Sequence, residues 1–176
     1  MSKIACFLLG LTAAAVVPAA LSETLRHPHF QKKLEVRLPK TGGGTAVVSV
    51  SHLTATFDKK GFSEMKTGGA WHLANAHLET DTPLEIGGKT VPAGKYRVVA
   101  RKTETSWELV LDQPGKFDAK LGDTATALAT TFKSDAPVEG HLRLDLHPTG
   151  AGEKAGVELS VAFDVHRATV RVAAGK

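Results

Sequence analysis

Residues 141–147 read His-Leu-Arg-Leu-Asp-Leu-His. Leu142, Leu144 and Leu146 alternate with His141, Arg143, Asp145 and His147. A period of two puts all three leucines on one face of a strand, whereas a helix would scatter them around its axis. The same period returns at Val157, Leu159, Val161, Phe163 and Val165, after a Pro- and Gly-containing turn over 148–156. It recurs once more in Ala168-Thr169-Val170-Arg171-Val172. Three strands that are apolar on one face only call for a partner layer that covers the apolar side.

Working outward toward the N-terminus, the punctuation stays that of an all-β chain. Trp107, Leu109 and Leu111 alternate with polar or second-face residues, and so do Tyr96, Val98 and Ala100. Between Leu84-Glu85-Ile86 and Lys89-Thr90-Val91, the pair Gly87-Gly88 predicts a tight hairpin, because two glycines supply the positive φ angles of a type I′ turn. Pro92-Ala93-Gly94-Lys95 predicts a second turn, and Asp112 to Asp123 a loop. Ala46 to Phe57 predicts one longer strand whose alternation slips near His52-Leu53, the mark of a bulge, followed by a turn at Asp58-Lys59-Lys60-Gly61. Leu34 to Leu38 is a further alternating run, and no segment carries a convincing helical period. The expected fold is a single antiparallel β-sandwich of about eight to ten strands.

Met1-Ser2-Lys3, the apolar run Ile4–Val17, the helix-breaking Pro18 and the small residues Ala20 and Ser22 have the layout of a cleavable signal peptide over residues 1–22. The apolar run is shorter than the ~20 residues that span a bilayer, which argues against a membrane anchor. Residues 23–33 read as a flexible arm and 34–176 as the β domain. The expected location is therefore periplasmic or secreted, with no transmembrane segment in the mature chain. Cleavage would remove Cys6, the single cysteine, and Lys3, leaving 21 basic against 18 acidic residues. Thiol chemistry, disulfides and cysteine-based metal sites then drop out. The remaining positive charge is dispersed along the chain, which argues against a nucleic-acid partner.

Three blocks share an order with a known family. They are Gly69-Ala70-Trp71-His72-Leu73-Ala74-Asn75-Ala76, the hairpin Ile86 to Tyr96 with its Val91-Pro92-Ala93-Gly94-Lys95-Tyr96 run, and Trp107-Glu108-Leu109-Val110-Leu111. Together they resemble the domain-of-unknown-function 2911 family of exported bacterial proteins, over about Ser49 to Val172. The chain departs from that pattern at His72, where the family has arginine, and is one residue shorter before Ala74-Asn75. The resemblance implies an exported β domain and brings no established activity.

The candidate ligand-binding surface is Trp71, His72, Asn75 and His77. His72 and His77, with Glu79 and Asp81, also offer nitrogen and oxygen donors of the type that Zn²⁺ or Cu²⁺ accepts, although nothing in the sequence requires a cofactor. In a regular strand His72 and His77 would point to opposite faces, so a shared site needs a bulge, and Ala74-Asn75 is the place for it. The polar residues His141, Arg143, Asp145 and His147 read as a solvated sheet face, of interest only if Asp164, His166 or Arg167 lies across from them. The chain lacks Gly-x-Ser-x-Gly, His-Glu-x-x-His and the glycine-rich nucleotide motifs. The leading expectation is an exported, non-catalytic binding or envelope-associated domain with an unidentified ligand or envelope component as partner. The alternatives are a small metal-binding protein, a hydrolase with His72 or His77 as base oriented by Glu79 or Asp81, and a structural or adhesion module.

Overall fold

The computed structural model describes residues 30–176 apart from residues 57, 114–120, 123, 135–138, 153–154 and 176. The signal segment and the arm up to residue 29 lie outside the described residues. Among the described residues, eleven strands and one short helix follow one another as β1(Gln31–Pro39), β2(Thr45–Leu53), α1(Lys59–Glu64), β3(Ala70–Thr80), β4(Leu84–Ile86), β5(Lys89–Val91), β6(Gly94–Lys102), β7(Trp107–Asp112), β8(Thr126–Thr131), β9(Glu139–Thr149), β10(Gly156–Asp164) and β11(His166–Ala174). They build a six-stranded sheet in the order β1-β2-β3-β6-β7-β8 and a five-stranded sheet in the order β5-β4-β11-β10-β9. Every ladder is antiparallel, and the two sheets pack as a β-sandwich. No helix among the described residues is long and apolar enough to cross a membrane.

The alternating runs set the sheet faces. Leu142 and Leu144 on β9, Val157, Leu159, Val161 and Phe163 on β10, and Ala168, Val170 and Val172 on β11 are buried against Val48, Val50, Leu78, Val98, Leu109 and Leu111 of the other sheet. Gly87 and Gly88 adopt φ of 56° and 77°, as the hairpin between β4 and β5 requires. The chain leaves β10 at Asp164, whose φ of 47° makes a tight corner, so Val165 sits in the turn instead of continuing the strand.

Four sequence expectations are revised. The first strand begins at Gln31, so Gln31–Lys33 belong to the sheet and not to an arm, because they pair with Ser51–Leu53. β2 carries no bulge: its register with β1 is unbroken from Thr45 to Leu53. The apparent slip arises because His52 occupies an inward position, 3% exposed, with its Nδ1 2.9 Å from the Leu53 carbonyl. Asp58 caps a one-and-a-half-turn helix, accepting from the Gly61 amide at 3.0 Å, where a plain turn was expected. Strand β9 extends through Pro148 to Thr149, which an edge strand tolerates because one side of its backbone needs no donor.

Both open sides of the sandwich are laced. On one side Leu142 donates its amide to the Ala55 carbonyl at 3.0 Å, and Lys32 reaches from β1 to the Asp145 carboxylate on β9. On the other, Lys133 and Arg167 exchange two backbone hydrogen bonds of 2.8 and 2.9 Å. At the centre of one end Phe163 meets Trp71 (4.5 Å), Phe62 (5.1 Å) and Phe132 (5.4 Å), centroid to centroid. Phe62 in turn stacks on Trp107 at 4.0 Å. Phe163 has no exposed surface. Phe163→Ala should therefore lower stability by about 3–5 kcal/mol, read as the change in the midpoint of urea unfolding, with the slope of the transition unchanged.

Candidate functional site

The segment singled out in the sequence lies on β3, and its backbone is irregular there. His72 pairs with Val99 and His77 with Arg97, so β3 advances five residues while β6 advances two. The surplus is taken up by Ala74 and Asn75 in left-handed conformations, φ 47° and 56°. Asparagine tolerates that region, but alanine does so only at a cost of ~1 kcal/mol or more. The bulge thus falls at the expected Ala74-Asn75, and it turns His72 and His77 toward the same, outer face of the six-stranded sheet. Their positions opposite Val99 and Arg97 put their backbones about 7 Å apart.

Trp71 does not join them. It pairs with Ala100 and turns inward, where it packs edge-on against Phe62 (5.3 Å) and Phe163. Asn75 is exposed at the crest of the bulge, while Leu73 and Ala76 on either side are buried. His77 Nδ1–H donates to the Asn75 carbonyl at 2.9 Å, which fixes the ring and leaves Nε2 as the outward acceptor of the neutral imidazole. Burial holds the His77 pKa below its ordinary value, helped by the positive charges of Lys95 and Arg97; the Asn75 hydrogen bond opposes the shift.

The four residues read as metal donors are not brought together. Asp81 accepts from the Val47 amide at 2.9 Å and from Thr82 Oγ1 at 2.7 Å, which ties it to the β2–β3 edge and keeps its pKa low. Glu79 stands opposite Lys95 and Ser49, one step beyond His77 on the same face. Among the described residues no group of three or more His, Cys, Asp or Glu is arranged to hold a metal ion. The positive field that disfavours an imidazolium at His77 also disfavours a metal cation. At His77 the partner of Nδ1 is a backbone carbonyl and not a carboxylate.

Beside the bulge lies a buried ion pair that no sequence spacing announces. Arg97 and Asp112 face each other across β6 and β7, with side chains 7% and 2% exposed, and form a salt bridge. The Gly122 amide adds contacts of 3.3 Å to both Asp112 oxygens. Arg101 and Glu108 form a second cross-strand pair, Nε to Oε1 2.6 Å, with Ala70, Val99 and Val110 packed between the two pairs under Leu121, Ala125 and Ala127. This covered patch ties β6 to β7 beside the bulge. The hollow bounded by His72, Asn75, Ala76, Arg97, Val98 and Val99 has an interior volume of ≈ 0 Å³, too little for a water molecule. The bulge therefore encloses no cavity of its own.

Two other polar constellations lie elsewhere, and in the second Arg167 stands across Ala162 from Arg143, one of the neighbours that the sequence singles out. Ser134 Oγ lies 2.9 Å from His166 Nδ1, at the rim of the aromatic cluster, where the His166 ring is 5.1 Å from that of Phe62. On the far side of the molecule, the outer face of β9, β10 and β11 holds a groove of about 230 Å³. Comparison of the chain with models of known families, with curated proteins and with solved structures gave no match.

Stability should fall as the solution is acidified from about pH 7.5 to pH 5. His77 and His166 are both held below their ordinary pKa, in each case first by burial, so the unfolded chain takes up protons that the folded one refuses. Their contribution is complete above about 6.5, the ordinary histidine value, and is lost as pH drops toward the folded-state values. His77→Gln should flatten this dependence in a series of thermal melts. Asp145 does not act in that window: although burial works against it, Lys32 and Arg143 hold it low, and it loses its contribution only in stronger acid.

Proposed function

We propose that this protein is an exported, non-catalytic binding domain that engages an extended envelope component through the β3 bulge, with His72, Asn75 and His77 as contact residues. Trp71 serves the surface from beneath, as the inward anchor of the same strand. The single observation that carries the reading is the pair of left-handed residues, Ala74 and Asn75, held in the middle of a strand with no interior volume behind them. Strain of that kind persists where the surroundings over-determine it, and it gathers at sites of recognition. A projecting crest without a pocket suits a macromolecular surface better than an engulfed small molecule. The likeness of Trp71–Asn75 and Val91–Tyr96 to the domain-of-unknown-function 2911 family, and the signal-like first 22 residues, point to the same setting.

The register suggests the test. Deleting residues 74–76 removes the three surplus residues, restores an even ladder with β6, and keeps Leu73 inward and His77 outward. The wild-type protein is expected to co-sediment with purified bacterial envelope fragments. The deletion variant and His72→Ala/His77→Ala are expected to lose about tenfold or more in retention, while circular dichroism shows the sheet intact. Equal retention of the wild type and both variants, or no retention at all, overturns the proposal. Titration with Cu²⁺ and Zn²⁺ is expected to give the same response from the wild type and the double variant.

A further inference from the structure

Each sheet ends in two edge strands. β5 has three residues, the chain after β8 runs into the Lys133–Arg167 exchange, and β9 is bonded by Ala55 and Lys32 and interrupted by Pro148. β1 differs: nine residues stand in unbroken register with β2 on one side and, among the described residues, no strand lies on the other. Both ends of that ladder show which way its backbone groups point. Phe30 gives its carbonyl to the Thr54 amide at 2.8 Å, and the Lys40 amide donates to the Gly44 carbonyl at 3.1 Å. Antiparallel ladders bond alternate residue pairs, so even-numbered residues turn their amides and carbonyls toward β2 and odd-numbered ones toward the open edge. Gln31, Lys33, Glu35 and Arg37 each present an N–H and a C=O there. Pro39 presents a carbonyl alone, which closes the row.

The side chains of the same four residues are exposed on the outer face, opposite Leu53, Ser51, Ser49 and Val47, none of which is charged. Charges along an edge ordinarily keep a second strand away. Here they alternate in sign, so they select among the registers in which β1 can meet another β1. A two-fold axis at Lys33 or at Glu35 sets like charges face to face. An axis at Val36 puts Lys33 opposite Pro39, which has no amide to donate. An axis at Leu34 puts Lys33 opposite Glu35 of the second copy, Glu35 opposite its Lys33, and Gln31 and Arg37 opposite each other. All four residue pairs then form two backbone bonds each. On the inner face Leu34 meets Leu34 of the second copy, and Val36 meets the stem of Lys32, whose ammonium is already held by Asp145. Leu34 and Val36 are only half-buried in the single chain, so apolar surface is left to cover. Phe30, 70% exposed, comes opposite Leu38 of the second copy.

We propose that two copies of this chain pair antiparallel through β1 about a two-fold axis at Leu34, joining their six-stranded sheets into one. The axis stands perpendicular to the sheet, so both bulges rise from the same outer face, five strand spacings or about 24 Å apart across the strands. Two crests then lie within reach of one extended partner, a consequence that rests on the proposed role of the bulge, whereas the self-pairing does not. Sedimentation equilibrium of the purified protein is expected to show a mass that rises with concentration to twice that of the chain. Lys33→Glu and Glu35→Lys each set like charges opposite one another on both sides of the axis, and each is expected to weaken association about tenfold or more. The double exchange Lys33→Glu/Glu35→Lys restores opposite charges in the same register and is expected to recover the wild-type affinity within about threefold. Glu35→Pro removes an amide that makes no ladder bond in the single chain, and is expected to abolish pairing while thermal melts show a folded domain. Deletion of residues 74–76 is expected to leave the mass unchanged, which separates loss of pairing from loss of envelope retention. A monomer at every concentration up to about 1 mM, a dimer that survives Glu35→Pro, or a double exchange no better than the single ones overturns the assignment.

Discussion

The fold turns on the interlocking of Phe163 with the aromatic side chains of the opposite sheet. Phe163 comes from β10, Trp71 from β3 and Trp107 from β7, and Phe62 is brought in by the short helix between β2 and β3. Edge-to-face contacts of this kind add to the area they bury, and they hold two layers that share no ladder at that point. The consequence for function is positional. Because Trp71 is pulled inward, the next residue, His72, faces outward, and the whole bulge is oriented from the core side. The helix of Lys59–Glu64 is too short to be stable alone and exists because Phe62 has a place in this cluster.

The two sheets use their outer faces differently. On the six-stranded sheet the pairs Arg97–Asp112 and Arg101–Glu108 bracket an apolar strip, and that strip is covered. A fully buried ion pair contributes little net stability against an apolar alternative, but loss of either partner would leave a costly uncompensated charge. Its value here is register: it pins β6 against β7 in the strand next to the strained segment of β3. The five-stranded sheet leaves its outer face open, with charges spread over three strands and a small residue at the centre.

Some of this was legible before folding. The hairpin at Gly87-Gly88 follows from two residues that reach positive φ without strain, and the position of the bulge from the need to reconcile His72 and His77 on one strand. Other parts were hidden for definite reasons. His52 looked like an interruption of the alternation because histidine is polar, yet it fills an inward position with its Nδ1 beside the Leu53 carbonyl. Asp58-Lys59-Lys60-Gly61 has the composition of a turn, and only the burial of Phe62 extends it into a helix. Of the residues read as metal donors, the bulge brings His72 and His77 to one face with Glu79 a step beyond, whereas Asp81 is tied down by Val47 and Thr82, contacts that no spacing announces.

The sequence by itself determined the strands and their faces, because a period of two requires only that neighbouring side chains point in opposite directions. It determined the tight turns too, through residues whose backbone freedom is intrinsic. Which strands became neighbours was decided only by the tertiary structure. Arg97 met Asp112 fifteen residues away, and Arg143 and Arg167 came to flank Ala162, because the ladder order and register set those rows. Register is a property of two segments and of the core they jointly close, so no single stretch contains it. The charged face at 141–147 was therefore readable as a strand, and became a groove only with β10 and β11 laid beside it.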